Sequence, residues 1–152
     1  MTVGAIADPV EAIAEFLREE MGEKVEGRIF RPELPQPDEL AVADFKSAIV
    51  VTRAGKAGKL FAGTRLPVKD SHVTVYCYGS ERQEADEIAA LASEYLRLLS
   101  YAYPECRVAE GTVLMHWARV TSDLIPRVHP DTNWPYAEFT VQLMHSQCVL
   151  PA

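Results

Sequence analysis

The side chains best suited to chemistry are four histidines and two loop acids, namely His72, His116, His129, His145, Asp123 and Asp131. No histidine falls in HExxH or at another spacing typical of zinc ligands. Asp123, Asp131 and His129 share one loop, so an acid-base cluster completed by a strand histidine such as His116 is one hypothesis. Loop acids are usually solvated, and histidines outside such motifs mostly serve the core or the surface. The sequence therefore predicts no enzyme, no metal and no cofactor, with a small metal-dependent hydrolase as an alternative.

Cysteine and glycine spacing also fails to match a reactive motif. The three cysteines, Cys77, Cys106 and Cys148, form no CxxC pair and are odd in number, which argues against a zinc ribbon and a disulfide framework. We expect reduced thiols. No GxSxG, P-loop or GxGxxG is present, and no helix start follows Gly55, Gly58 and Gly63 to supply aligned N–H groups for a phosphate.

A basic segment, 53–69, differs in composition from the rest of the chain. It holds five cations, no acid and three glycines, whereas the whole chain has 15 Lys plus Arg against 22 Asp plus Glu. We interpret it as a protruding hairpin arm that joins two strands. Its cations could touch DNA phosphates or an acidic protein surface, and a solvated hairpin tip is the alternative interpretation. The predicted assembly contacts on the arm are Arg53, Lys56, Lys59, Arg65 and Lys69.

Both tryptophans are most simply packing residues. Trp134, however, lies in a loop flanked by prolines, where it could anchor a contact between subunits. We therefore add Trp134 to the predicted assembly contacts.

The stretch 71–101 joins a strand directly to a helix. Alternation over His72 to Tyr78 places Val73, Val75 and Cys77 on one face, which is typical of a half-buried strand. Gly79 interrupts it, and Ser80 with Gln83 has the spacing of a capping box. An apolar stripe then recurs at three- and four-residue steps: Ala85, Ile88, Ala89, Ala92, Tyr95, Leu96 and Leu99.

The remaining elements follow from similar patterns. Pro9 and Glu11 predict the start of a helix over 9–21, which Gly22 ends. Strands are predicted over 25–30, 46–53, 72–78, 112–121 and 136–146, and the proline-containing stretch 122–135 is predicted to be a loop. The predicted fold is α+β: two helices packed on a mainly antiparallel sheet of four to five strands, in the order α-β-β-β-α-β-β.

Bulk properties limit the classes of function. The 152 residues suit one domain spanning 1–152, and there is no apolar run long enough for a membrane span or a signal peptide. A net charge of -7 and a pI near 5.1 disfavour a protein that wraps nucleic acid.

Several stretches together resemble one family. They are DPVEAIAEFLRE, GRIFRPELP, AIVVTRAG with the glycine-rich arm after it, VTVYCYGSERQEADEIAALA and HPDTNWPYAEFTVQLM. In order and spacing the chain resembles the tail terminator (tail completion) proteins of long-tailed bacteriophages, especially the type found in phages of actinobacteria. It departs from that pattern in the arm, where AGKAGKL stands in place of a tight Gly-Gly turn.

The resemblance implies a structural role in the tail and neck region of a virion, assembled in the host cytoplasm. Such proteins form a hexameric ring on the tail tube, end tube polymerisation and join the tail to the head. The implied partners are other copies of the chain, the tail tube protein, a head-tail connector or stopper, and DNA passing through the lumen without sequence-specific binding. No membrane is implied. A head-tail stopper or another neck protein is the alternative in the same class.

Overall fold

A computed structural model describes residues 9–25, 28–30, 47–53, 68–102, 105–108, 111–128 and 134–148. The two helices are α1 (Pro9–Met21) and α2 (Arg82–Ala102). The strands are β1 (Ile29–Phe30), β2 (Ser47–Arg53), β3 (Val68–Gly79), β4 (Glu105–Val108), β5 (Gly111–Val120), β6 (Ile125–Val128) and β7 (Pro135–Cys148). The predicted α+β class and the mainly antiparallel sheet are confirmed, with more strands than predicted. No described helix is long and apolar enough to cross a membrane.

The described strands form one sheet in the order β1-β2-β3-β7-β5-β4, and β6 also pairs with β7. Among the described strand pairs, β1 with β2 is parallel and the others are antiparallel. The 14-residue β7 is central, because β3 lies along one side of it while β5 and β6 share the other side. Since α1 contacts β2 and also β4 at the far edge, the sheet curls around the helices.

Both helices pack on one side of the sheet, which we call the helix face. It is formed by every second strand residue, including Ile49, Val51, Val73, Val75, Cys77, Ala137, Phe139, Val141 and Leu143, all buried in one core cluster with the helices. Of the predicted stripe of α2, Ala85 is buried outside this cluster and Tyr95 is at its partly buried margin. The other members lie within it: Ile88, Ala89, Ala92, Leu96 and Leu99. At roughly 25 cal/mol per Å² of apolar surface removed from water, this burial is the main source of stability.

The junction between β3 and α2 depends on a glycine. A Cβ on Gly79 would lie 2.5 Å from the amide nitrogen of Ala85, so a side chain there would collide with the first helical turn. The predicted pairing of Ser80 with Gln83 is wrong. Glu84 instead accepts from the Ser80 amide at 3.4 Å and from its hydroxyl at 3.2 Å. The helix starts at Arg82, later than the capping pattern suggested, and this shifts the partner by one residue.

Two strand predictions need correction. The stretch 122–135, predicted to be a loop, contains β6, which pairs with the start of β7. In β5 the side chains do not alternate regularly, because the register shifts between Met115 and Trp117. As a result Met115 and Ala118 are both buried with the helices, although alternation places them on opposite faces. The strand predicted over 25–30 is reduced to Ile29–Phe30.

Candidate functional site

The predicted assembly contacts of the basic segment lie either at strand ends or outside the described residues. Arg53 ends β2 opposite Val73, and Lys69 lies near the start of β3 opposite His145. The segment 54–67 therefore joins two antiparallel neighbours, as expected for a hairpin connection. Lys56, Lys59 and Arg65 lie outside the described residues. Whether these cations contact a partner stays a prediction.

Trp134 lies immediately before β7 and is partly buried. It packs against a cluster on the side of the sheet turned away from the helices, which we call the second face. The cluster consists of Ala48, Val50 and Tyr78, with Phe30, Tyr76, Trp134 and Tyr136 packed against it. The indole is therefore part of a folded aromatic cluster, and its contact with another subunit stays a prediction.

The tyrosines of this cluster hold one another in place. The rings of Tyr76 and Tyr136 meet edge to face with centroids 5.7 Å apart, and those of Tyr78 and Tyr136 are tilted with centroids 4.9 Å apart. Burial raises the pKa of all three phenols, and Glu138 raises it further. The phenols therefore stay protonated near neutral pH and act as rigid amphipathic surface, unsuited to the role of a base.

The short strand β6 borders the aromatic cluster. Arg127 is opposite Tyr136 in the β6–β7 register, and its Nε donates to Oε1 of Glu138. The carboxylate of Glu138 raises the pKa of Arg127. Sequence reasoning missed this element. The available signal was three aliphatic residues, Leu124, Ile125 and Val128, inside a mostly polar stretch.

The negative charge of the chain is concentrated in the helical layer. Residues 9–25 and 81–102 carry ten Asp and Glu against four Lys and Arg, a net charge of -6 out of the chain total of -7. Most of these acids are exposed. A surface of this kind suits a basic partner and raises association rates with one.

A serine and a histidine meet beneath the helices. Ser71 Oγ lies 2.9 Å from His145 Nε2, and both residues are buried on the helix face. A substrate could not reach this buried hydroxyl in the folded protein. The hydrogen bond instead gives each of the two buried polar side chains a partner. Cys77 is also buried, and burial raises the pKa of its thiol, which keeps it protonated and unreactive.

The predicted acid-histidine cluster is not assembled within the described residues. Asp123 is exposed, while His129 and Asp131 lie outside the described ranges. His72 is exposed and points away from buried His145, because residues 71 and 72 face opposite sides of β3. Among the described side chains, no group of three His, Cys, Asp or Glu is placed to hold a metal ion.

One cleft of about 360 Å³ lies between the end of α1, the start of β2 and the first turns of α2. Its polar lining is largely engaged by the protein itself. Arg28 donates to the carbonyl oxygen of Ser47 at 2.5 Å, Glu84 bonds Ser80, and Gln83 bonds Glu87 at 3.2 Å. We assign no ligand to this cleft.

The fold is thus an α+β domain with an acidic helical layer and an aromatic second face. No family model matches the chain, and no curated protein matches it. Among solved structures, the chain is similar to a chain of the "Virion of native gene transfer agent (GTA) particle", with a TM-score of 0.54 and 14% identity over 89% of this chain and 92% of that chain. At this identity the similarity shows the fold.

Proposed function

We propose that this protein is a structural component of a phage-type virion. In this proposal it is a tail terminator: copies form a ring on the last ring of the tail tube, end tube polymerisation and present a surface for joining the head. Its partners are other copies, the tail tube protein and the head-tail connector or stopper. DNA passes through the lumen of the ring without sequence-specific contacts.

The observation that carries this proposal is the similarity in fold to a chain of a virion particle. It covers 89% of this chain and 92% of that chain, so it involves the domain as a whole and not one shared motif. At 14% identity the support is confined to architecture. The ordered resemblance to tail terminators along the sequence points in the same direction.

Charge separation supports an assembly role. The helical layer has a net charge of -6, whereas the segment 53–69 has five cations and no acid. A ring of identical subunits needs two different surfaces that complement each other, and opposite charges favour such a pairing. The basic segment is proposed to contact a neighbouring copy, the tube or the DNA channel.

The described polar groups also suit a structural role. Ser71, His145 and Cys77 are buried, and the tyrosines of the second face stay protonated. Exposed Arg127 of β6 forms an ion pair with partly buried Glu138 of β7 beside aromatic rings, a composition found in protein contacts.

The test uses the purified full chain and the tail tube protein of the same virion. Tubes are polymerised with and without the chain, and their lengths and ends are recorded by electron microscopy. We expect shorter tubes with a ring at one end, and a mass in the presence of tubes that matches six copies per end. A variant with Lys56, Lys59 and Arg65 all changed to Glu should cap less well, while Arg82→Glu is the matched control.

The outcomes separate the alternatives. Unchanged tube lengths with no bound ring would reject the terminator function. A ring bound to the connector but absent from tube ends would identify a head-tail stopper. Stoichiometric zinc in the purified protein with turnover of simple esters or phosphates would favour the small metal-dependent hydrolase.

A further inference from the structure

The edge strand β6 is exposed along its whole length. All four of its residues are exposed, and within the described part of the chain it pairs with β7 alone. Its register places Pro126 opposite Ala137 and Arg127 opposite Tyr136. A strand exposed on both faces is available for a protein contact, and the chemistry of its residues indicates which kind of partner fits.

Strand addition to β6 is disfavoured by its proline. The amide of Thr121 donates to the carbonyl oxygen of Thr140 at 2.9 Å, so even-numbered residues of β7 turn their backbone groups toward β5 and β6. The backbone groups of odd-numbered Ala137 therefore point toward β3. Those of Pro126, which is opposite Ala137, point away from β7 at the open edge of the sheet. An outward proline supplies no donor to an added strand, so the edge offers side chains to a partner.

Those side chains are apolar around one cation. Val128 is 58% exposed and Ile125 39%, and they are two of the three exposed large hydrophobic residues among those described. Arg127 lies between them in the sequence and projects to the same side of β6 as Ile125, whereas Val128 projects to the other side. The Arg127 side chain is 52% exposed and is anchored through Nε to Glu138. The guanidinium keeps its terminal amino groups for a second acceptor.

The third exposed hydrophobic residue lies on the acidic helical layer. Leu98 of α2 is 50% exposed. One helical turn earlier is Glu94, whose side chain is 56% exposed and 3.6 Å from Arg97. Residues four apart share a helix face, so Leu98 and Glu94 present an apolar side chain beside a carboxylate. It complements Ile125 and Arg127 on one side of β6, where an apolar side chain lies beside a cation.

The two surfaces lie at opposite ends of the sheet. α2 begins beside the end of β3, near Tyr78 and Tyr136, and it ends just before β4. β6 pairs with the first residues of β7, whereas β4 pairs with the part of β5 that adjoins the last residues of β7. A contact between such separated surfaces passes from one copy to the next, as a ring requires.

We propose that the β6 edge of one copy docks on α2 of a second copy. Ile125 packs on Leu98 of the neighbour, and Arg127, which projects to the same side of β6 as Ile125, approaches the carboxylate of the neighbour's Glu94. The contact covers Ile125 and Leu98, two of the three exposed large hydrophobic residues among those described, and places a cation against the acidic layer. This inference rests on the proposed function, because it names the surfaces by which copies would form the ring.

The experiment is a charge reversal with rescue in the full chain. Arg127→Glu should raise the concentration needed for self-association roughly tenfold or more, measured by native mass spectrometry and sedimentation alone and with tail tubes. Glu94→Arg should act in the same direction. The double variant, Arg127→Glu with Glu94→Arg, should recover most of the association. Arg119→Glu, an exposed cation on β5, is the matched control and should leave assembly unchanged.

Circular dichroism of each variant establishes that the fold is retained. Three results would each overturn the inference. They are an Arg127→Glu variant that associates as well as wild type, a double variant that is not rescued, and wild-type copies that never associate with or without tubes. Failure of the proposed terminator function can be told apart from failure of this interface. If Arg127→Glu assembles and caps tubes normally, the interface is wrong and the function stands. If wild-type rings depend on Arg127 but never cap tubes, the interface stands and the terminator function fails.

Discussion

The two faces of the sheet differ in composition although they are made by the same strands. The helix face is aliphatic and aromatic, and its described polar side chains include the bonded pair Ser71 and His145. The second face carries tyrosines, threonines and charged groups, with Tyr78 buried and Tyr76 and Tyr136 partly exposed. Because neighbouring residues of a strand face opposite sides, β3 and β7 each contribute to both surfaces.

This difference separates stability from recognition. The helix face gains its free energy from burial, which tolerates little change in volume. The second face and the adjoining edge β6 combine rigid tyrosine rings with an anchored arginine, which is the composition of protein contacts. Pairs of adjacent residues on one strand therefore allow each face to be perturbed separately.

The largest expected effect comes from the centre of the helix face. Phe139→Ala removes a fully buried ring, and we expect the free energy of unfolding to fall by roughly 3–5 kcal/mol. The matched control is Thr140→Ala, its neighbour on the second face, which should cost about 1 kcal/mol or less. Urea denaturation at neutral pH measures both. Equal losses would show that the two faces do not differ in their contribution to stability.

A smaller effect is expected from the buried polar pair. Ser71→Ala removes the hydrogen bond to His145, and we expect a loss of about 1 kcal/mol in the free energy of unfolding. His72→Ala, one residue along and exposed on the second face, is the control and should be nearly neutral. An unchanged stability for Ser71→Ala would mean that the pair contributes nothing to the core.

Much of this architecture could be predicted from local patterns. The bounds of α1, the buried stripe of α2 and the alternating faces of β3 and β7 follow from periodicity, because one side of each element must be buried. Periodicity does not predict elements that form only because a neighbouring strand pairs with them. β6 has four residues including a proline, and it is a strand because β7 extends far enough to pair with it. The shift in β5 at His116 likewise has no local signal.

The contacts between distant residues were beyond such reasoning. Ser71 and His145 are 74 positions apart and meet only through the register of β3 with β7. Arg127 and Glu138 meet through the β6 pairing, which the sequence did not reveal. Composition did predict an acidic body, and the fold adds where part of that charge lies: ten of the 22 acidic residues are in the helical layer, which has a net charge of -6.

The smallest effect, at alkaline pH, compares adjacent Cys77 and Tyr78. Burial raises the pKa of both groups, and for Tyr78 the neighbouring tyrosines and Glu138 raise it further. The unfolded chain therefore loses these protons first, near the ordinary values of 9.0 and 10.0, so stability is intact below them and falls as pH rises beyond them. We expect Cys77→Ala to reduce the decline that begins near pH 9. Tyr78→Phe should reduce the decline that begins near pH 10, to which Tyr76 and Tyr136 also contribute. Thermal unfolding from pH 7 to 11 measures both, and parallel curves for wild type and Tyr78→Phe would show that the phenol is solvated and the aromatic cluster loose.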